Sequence, residues 1–182
     1  EDGTDMDKIY IGNSMPSSYG DGALNCQTLA TMIQEQEAGF CSVDGAIESN
    51  YAGYTGTGFA NTANAVGNGV SWSVNFTSSG TKTFNFRYAS TGARPADLIV
   101  NGTTVVSNIS FPSTGSWSTW STVSVNASVS SGISTIRLQG TGTDGLGNID
   151  YLEIVGANRS ACVSSSSANT AKNTGTTDTD IQ

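Results

Sequence analysis

Histidine is absent from this sequence, and charged residues make up only 12% of its 182 residues. The missing histidine excludes a Ser–His–Asp triad and disfavours a zinc site, since the three cysteines also lack the spacing of a zinc motif. Lysine and arginine form no basic face, so nucleic acid is not an expected partner. No apolar run approaches the roughly 20 residues of a transmembrane helix, so no membrane partner is expected either.

The residues that are present are mainly small and polar: serine, threonine, glycine and asparagine. This composition favours a secreted β-protein with many turns over a helical enzyme of the cytosol. The net charge of −8 is uneven, because residues 1–48 contain nine acids and one lysine, whereas the centre of the chain is mildly basic. The sequence begins at Glu1. We therefore expect a mature fragment or an excised domain whose targeting peptide has been removed.

Apolar and polar residues alternate clearly from residue 69 onward. The alternation predicts strands at 69–77 and 82–90, which we interpret as a hairpin turning at Ser78-Ser79-Gly80. Asn101-Gly102 is a strong signal for a second hairpin. Further short strands follow between glycine-rich turns, and no convincing long helix appears. The predicted fold class is therefore all-β, an antiparallel β-sandwich.

Three segments differ in composition. Residues 1–32 are acidic and polar, and we expect an N-terminal extension or linker, with disorder as the alternative for residues 1–20. Residues 33–156 contain the strands of the predicted sandwich domain. Residues 157–182 are rich in serine and threonine, which predicts a flexible linker to another domain.

Two distant stretches carry carboxylates that we expect to meet in the fold. Glu35 and Glu37 are two residues apart, so on a strand they point to the same side. Asp150 lies in the stretch 147–154, whose apolar residues on both faces predict a strand inside a sheet pair. Three converging carboxylates repel each other, and a hard, oxygen-seeking metal removes that repulsion. The acids therefore predict a calcium site, with solvated carboxylates at a sheet edge as the alternative.

The three cysteines, Cys26, Cys41 and Cys162, predict a disulfide in an exported protein. Suppose that a strand at 33–39 pairs antiparallel with a strand at 149–155, so that residue 37 lies near residue 150. The same register continued outward brings residue 26 opposite residue 162. This consistency favours a Cys26–Cys162 disulfide, and Cys26–Cys41 is its main rival.

Several motifs in residues 33–156 together resemble carbohydrate-binding module family 35, close kin of family 6. Each motif is weak alone, and their ordered combination carries the resemblance. In chain order they are Glu35-Gln36-Glu37, residues 53–59 (Gly-Tyr-Thr-Gly-Thr-Gly-Phe), Arg87-Tyr88-Ala89, Val100-Asn101-Gly102, residues 111–120 (Phe-Pro-Ser-Thr-Gly-Ser-Trp-Ser-Thr-Trp) and residues 148–152 (Asn-Ile-Asp-Tyr-Leu).

The resemblance implies a jelly-roll, galactose-binding-like sandwich without catalysis, joined by linkers to a glycoside hydrolase or polysaccharide lyase. It also implies that the calcium near the first and last strands is structural, with Glu35, Glu37 and Asp150 as the matching acids. A secreted protein that acts as a monomer is expected.

The resemblance further implies a sugar site in the loops at one end of the sandwich. The matching positions are Tyr54, Trp117 and Asn148, and Arg94 is a partial match. An aromatic ring can cover the apolar C–H face of a sugar, while an amide such as Asn148 can donate and accept hydrogen bonds at its hydroxyl edge. Trp117 follows Gly-Ser in a loop, where a large apolar ring has little structural role.

We expect a module that directs an attached enzyme to plant cell-wall polysaccharide. Because the loops contain only Arg94 as a cation and no second acid cluster, the prediction leans to neutral mannan. Calcium-dependent binding of uronic acids, as in glucuronoxylan or pectin fragments, is the alternative. A glycosidase is disfavoured, because Glu35 and Glu37 are neighbours on one face rather than opposed across a bond. A structural or adhesive domain with a protein partner is a further alternative.

Overall fold

The computed structural model describes residues 30–162, which form twelve β-strands and no α-helix. The all-β prediction is confirmed, and no helix able to span a membrane occurs among these residues. Most of the predicted extension 1–32 and of the predicted linker 157–182 lies outside them. The strands are β1 (Ala30–Gln34), β2 (Phe40–Val43), β3 (Gly45–Glu48), β4 (Phe59–Thr62), β5 (Gly69–Phe76), β6 (Gly80–Ala89), β7 (Ala96–Val100), β8 (Thr103–Ile109), β9 (Ser121–Val129), β10 (Gly132–Gly140), β11 (Asn148–Val155) and β12 (Ala157–Arg159).

The strands form two antiparallel sheets that pack face to face. The first sheet has the order β3-β4-β11-β6-β9, and β1 also pairs with β11. The second has the order β12-β5-β10-β7-β8, and β2 also pairs with β5. The two inner faces supply the buried apolar core, which contains most of the large apolar side chains of the strands. This arrangement confirms the predicted β-sandwich.

β5 and β6 do not form the predicted hairpin, because the chain crosses between sheets after Phe76. β5 pairs with β10 in one sheet, whereas β6 pairs with β11 and β9 in the other. Their apolar rows meet across the core, with Phe76 and Phe84 ring centroids 6.2 Å apart. Alternation shows that a strand has one apolar face. It does not show whether two such strands pair within one sheet or face each other across the core between two sheets. The prediction for Asn101-Gly102 is confirmed, since this pair joins β7 to β8 with φ angles of 50° and 78°.

The predicted antiparallel pairing of the first and last long strands is confirmed, but its register is different. β1 pairs with β11 from Ala30 opposite Val155 to Gln34 opposite Tyr151. The strand then ends, because Gln36 has a φ of 62° and the chain turns into β2. Glu35 and Glu37 therefore lie in a turn, and the premise that they share one face of a strand was wrong.

A β-bulge in β11 explains how Asp150 becomes buried. Ile149 pairs with Tyr88 and Tyr151 pairs with Arg87, so Asp150 is the extra residue between them. Ile149 and Leu152 are both in the core, although a regular strand would put them on opposite faces. Tyr151 is only partly buried, so β11 is not apolar on both sides as predicted.

The disulfide joins Cys41 to Cys162, and the predicted Cys26–Cys162 bond was therefore wrong. After β11 the chain turns at Gly156 and leaves the first sheet, so the β1–β11 register does not extend to residue 162. β12 instead pairs with β5 beside β2, which brings Cys162 to Cys41. The rival Cys26–Cys41 is excluded by the same bond, and Cys26 lies outside the described residues.

Loss of this disulfide should destabilise the domain. A Cys162→Ser variant is expected to lower the free energy of unfolding by about 2–4 kcal/mol, because the bond closes a long loop and restricts the unfolded chain. Denaturant unfolding measures the effect, and peptide mapping identifies the bonded pair. Cys26→Ser is the matched control and should leave stability unchanged. A destabilised Cys26→Ser variant beside an unaffected Cys162→Ser variant would contradict the assignment.

Asp44, between β2 and β3, ties three parts of the second sheet together. Its carboxylate accepts a hydrogen bond from the Gly69 backbone N–H at 3.0 Å and forms an ion pair with the Arg137 guanidinium. Arg137, on β10, also donates to the Gly67 carbonyl at 2.8 Å. The hydrogen bond from Arg137 lowers the pKa of Asp44 below its usual value, although burial opposes the shift.

This lowered pKa predicts a pH-dependent contribution to stability. A carboxyl group with a lower pKa in the folded state stabilises it above its unfolded pKa of about 3.9, and that contribution is lost as the pH falls through the folded pKa. Asp44→Asn should therefore lower stability near pH 7 by no more than about 1 kcal/mol, because the pair is partly exposed. The deficit should shrink below about pH 4. Thermal melts from pH 2 to 7 test this, with the exposed Asp144→Asn as control. A deficit that grows on acidification would contradict it.

Candidate functional site

A cleft of about 200 Å³ opens at the end of the sandwich where β3 ends and β11 begins. Strand ends and loops from both halves of the chain contribute to it, and polar side chains dominate its lining. The lining residues are Glu48, Asn50, Tyr51, Asn61, Asn64, Arg94, Trp117 and Asn148. Of the sequence-predicted site residues, Trp117, Asn148 and Arg94 thus come together here.

Two aromatic rings form one wall of the cleft. Tyr51 stacks on Trp117, with ring centroids 6.1 Å apart and planes inclined by 28°. The Arg94 guanidinium carbon lies 5.0 Å from the Trp117 ring centroid, within cation–π range. Trp117 is only partly buried, so part of this wall is accessible to a ligand. The loop that carries Tyr51 lies far from Trp117 in sequence, so only the fold creates the pair.

Tyr54 is placed outside the cleft. Its ring packs on buried Phe59, at a centroid distance of 5.8 Å, and it is not among the lining residues. Tyr51, three residues earlier in the same glycine-rich stretch, takes the position in the cleft. No local signal in the sequence separates the two tyrosines. The polar residues Glu48 and Asn61 were also missed, because they lie on β3 and β4 and no motif marks them.

Arg94 braces the cleft through one nitrogen of its guanidinium. Its Nη1 donates to Asn64 Oδ1 at 3.2 Å and to the Leu146 carbonyl at 3.0 Å, and also to the Asp144 carbonyl. These are all the hydrogen bonds of the guanidinium within residues 30–162, and none uses Nη2 or Nε. Arg94 can therefore hold the loops in place and still offer donors to a ligand.

Asn148 is a polar group of the cleft that the fold holds in place. It is the first residue of β11, pairs with Ala89 of β6, and is only 2% exposed. Its Nδ2 is buried and has no hydrogen-bond partner among the described residues. A buried amide donor without a partner is destabilising, so a ligand that accepts a hydrogen bond from it would be favoured.

Residues 49–58 connect β3 to β4 and are here called the β3–β4 loop. Two of the predicted metal ligands, Glu35 and Asp150, accept hydrogen bonds from this loop. Glu35 is 4% exposed, and its Oε1 accepts hydrogen bonds from the Thr57 N–H and hydroxyl and from the Gly58 N–H, at 2.7–2.8 Å. Asp150 accepts from the N–H and the hydroxyl of Thr55 and forms an ion pair with Arg87. Burial raises the pKa of Asp150, while the Arg87 and Thr55 hydrogen bonds oppose that shift.

Glu37 is placed apart from these two acids. Its Oε2 accepts a hydrogen bond from the Gln34 N–H at 2.9 Å and pairs with Arg159 at 2.8 Å. Within residues 30–162 no three acidic side chains are close enough to form a metal cluster. Among the acids that the structure describes, Glu35 alone retains a buried carboxylate oxygen without a partner, its Oε2. Of the three predicted ligands, Glu35 thus keeps one oxygen that could serve a cation, whereas Asp150 and Glu37 already have cationic partners.

Comparison with known proteins identifies relatives of the whole sandwich. Residues 40–156 match a family model described as carbohydrate binding module (family 6). The CBM35 module of Cellvibrio japonicus Abf62 has 42% identity and a TM-score of 0.69, and the match covers 74% of this chain and 100% of that one. Xyl-CBM35, solved in complex with a glucuronic acid-containing disaccharide, has 42% identity and a TM-score of 0.69 over 72% of this chain and 99% of that one.

A longer relative places such a domain inside an enzyme. The chain is 44% identical to endo-1,4-beta-xylanase B of Cellvibrio japonicus over 69% of its own length. It spans only 21% of that enzyme, so the match concerns one part of a much longer protein.

Proposed function

This chain belongs to the carbohydrate-binding modules of family 35, close relatives of family 6, and we propose that its cleft binds glycans that carry uronic acid. The module itself is non-catalytic. The observation that carries the proposal is the composition of the cleft, where Trp117 and Tyr51 stand beside one arginine, one glutamate and four asparagines.

The aromatic wall and the asparagines suit a sugar of any charge. The partly exposed Trp117 face can cover the C–H face of a pyranose ring. Each asparagine offers both a carbonyl acceptor and an amide donor, which is the pairing that a hydroxyl needs. The unpartnered Nδ2 of Asn148 supplies a donor at a fixed position. These features support sugar binding but do not select a uronic acid.

The charged groups of the cleft favour a uronic acid bound with calcium. Arg94 keeps two guanidinium nitrogens for a carboxylate, as described above. Glu48 would repel the same carboxylate unless a cation lay between them. Its carboxylate and the neighbouring asparagine carbonyls are the oxygen ligands that calcium prefers. The related Xyl-CBM35, which was solved with a glucuronic acid-containing disaccharide, supports this choice.

The uronic-acid alternative therefore replaces the prediction of a preference for neutral mannan. That prediction depended on loops with one cation and no second acid cluster, and Glu48 supplies an acid to the cleft from the end of β3. We further propose that the module is secreted, acts as a monomer and is linked to a polysaccharide-degrading enzyme, as in the xylanase relative. Its role would be to hold that enzyme on plant cell-wall polysaccharide.

Titration calorimetry with glucuronic acid and with mannohexaose, each with calcium and with EDTA, tests the proposal. Glucuronic acid should bind only with calcium, and Trp117→Ala should weaken binding at least about tenfold, or about 1.4 kcal/mol, by removing the aromatic wall. Ile133→Ser, which replaces an exposed apolar residue outside the cleft, is the control and should bind normally.

Each other outcome points to a different function. Glucuronic acid binding that survives EDTA would leave Arg94 as the carboxylate partner and remove calcium from the cleft. Binding of mannohexaose alone would restore the neutral-glycan hypothesis. No binding of either sugar would favour a protein partner.

We also propose a structural calcium at Glu35, on the far side of the β3–β4 loop from the cleft. The buried, unpartnered Oε2 supports it. Asp150 and Glu37, the other two predicted ligands, would have to exchange their arginine partners for the metal. The ion would supply positive charge to a buried carboxylate that has only neutral donors on its other oxygen.

Calcium should therefore stabilise the folded domain even without sugar. Binding to the folded state alone adds about 2.7 kcal/mol at a calcium concentration 100 times the Kd, so EDTA should lower the Tm. Glu35→Gln should abolish the calcium-dependent rise in Tm. Glu48→Gln should keep that rise and lose only the calcium dependence of sugar binding. A wild-type Tm that is the same in calcium and in EDTA would contradict the proposed structural calcium site.

A further inference from the structure

The β3–β4 loop supplies the cleft with Asn50 and Tyr51, yet the residue that holds this part of the loop lies outside the cleft. Trp120 donates a hydrogen bond from its indole Nε1 to the Ala52 carbonyl at 2.9 Å. Trp120 does not line the cleft. Ala52 directly follows Tyr51, so the anchored peptide is one residue away from the stacking ring.

Packing around Trp120 reinforces this single hydrogen bond. Its ring lies 5.6 Å from the ring of buried Phe59 and 5.2 Å from the Arg87 guanidinium carbon. Gly53 lies so close that a Cβ there would be 2.9 Å from Trp120 Cδ1. Arg87 also donates to the Gly53 carbonyl at 2.9 Å. Two consecutive loop carbonyls are therefore held by side chains that contact each other.

Trp117 and Trp120 divide two tasks within one short segment. Trp117 presents its ring to the cleft, and Trp120, three residues later, grips the loop that carries the facing Tyr51. The segment thus fixes both partners of the aromatic stack, one directly and one through the β3–β4 loop. A change at Trp120 can alter the wall of the cleft without removing any group that touches a ligand.

We propose that Trp120 is a positioning residue for glycan binding and that it acts through Tyr51. This inference rests on the proposed sugar site. A purely structural Trp120 would support the stability of the domain and leave glycan affinity unchanged. A positioning Trp120 sets the separation and tilt of the Tyr51–Trp117 pair and therefore the affinity.

Trp120→Phe tests this, because it removes the indole N–H and keeps an aromatic ring against Phe59. Loss of one net hydrogen bond that orders the loop should weaken glycan binding about 2- to 10-fold at a temperature well below the Tm. Trp72→Phe is the matched control. Trp72 is buried, and its Nε1 has no hydrogen-bond partner among the described residues. Removing this indole N–H should therefore leave glycan affinity unchanged.

A double-mutant cycle with Tyr51→Ala identifies the route. If Trp120 acts through Tyr51, then Trp120→Phe should have no further effect on affinity in the Tyr51→Ala background. Additive effects of the two substitutions would overturn the proposal. So would a Trp120→Phe variant that melts at a lower temperature but binds as tightly as the wild type.

A ligand-free measurement separates this inference from the proposed function. The chain has three tryptophans, so three indole N–H signals are expected in a ¹H–¹⁵N spectrum. Trp120→Phe should shift the Trp117 signal, because the Tyr51 ring stacked on it moves, whereas Trp72→Phe should leave it in place. An unshifted Trp117 signal would refute positioning. A shifted signal in a protein that binds no glycan would uphold the positioning of Tyr51 by Trp120 and refute the proposed function.

Discussion

Two buried carboxylates organise the functional end of this domain. Glu35 and Asp150 are nearly excluded from water, and a buried carboxylate must be satisfied by donors or cations. In a chain with only seven basic residues, arginine satisfies Asp150 in part, and the backbone and threonines of the β3–β4 loop donate to Asp150 and to Oε1 of Glu35. The same interactions that satisfy the acids hold the loop closed over them. The conformation of the loop then places Tyr51 against Trp117.

The β3–β4 loop therefore contributes to the cleft and also contacts the buried carboxylates. One loop carries Tyr51 into the cleft and directs Thr55, Thr57 and Gly58 towards the acids. The bulge at Asp150 is what turns its carboxylate towards the loop. Counted back from the core residue Leu152, a regular β11 would have pointed this side chain to the core face of the sheet. A local irregularity of one strand thus has consequences for a binding surface formed by other elements.

Local chemistry made much of this architecture predictable. The Asn101-Gly102 turn needs positive φ angles that these residues tolerate, so its position was evident. Large aromatic and amide side chains in glycine-rich loops pointed to Trp117 and Asn148, and the structure places both in one cleft with Arg94. The pairing of β1 with β11 was supposed so that the acids would meet, and it occurs in a different register. These successes concern information carried by a few neighbouring residues or by strand patterning.

The errors concern long-range choices that patterning does not encode. β5 and β6 would each have an apolar face whether they paired in one sheet or faced each other across the core, so their patterns do not show which arrangement forms. The disulfide partner of Cys162 depends on the chain leaving one sheet for the other at Gly156. Whether Tyr51 or Tyr54 enters the cleft depends on where two distant carboxylates anchor the loop. Each of these is decided by contacts between residues that are far apart in sequence.

The Cys41–Cys162 bond also determines how the domain responds to a pull. β12 is only three residues long, and alone it would be easily peeled from the edge of β5. Tension applied to the chain beyond Cys162 meets the covalent bond first and passes directly to Cys41, at the edge of the same sheet. Everything between these residues, including the whole cleft, lies inside a covalently closed loop. The cleft is thereby shielded from mechanical load that arrives through the chain after Cys162.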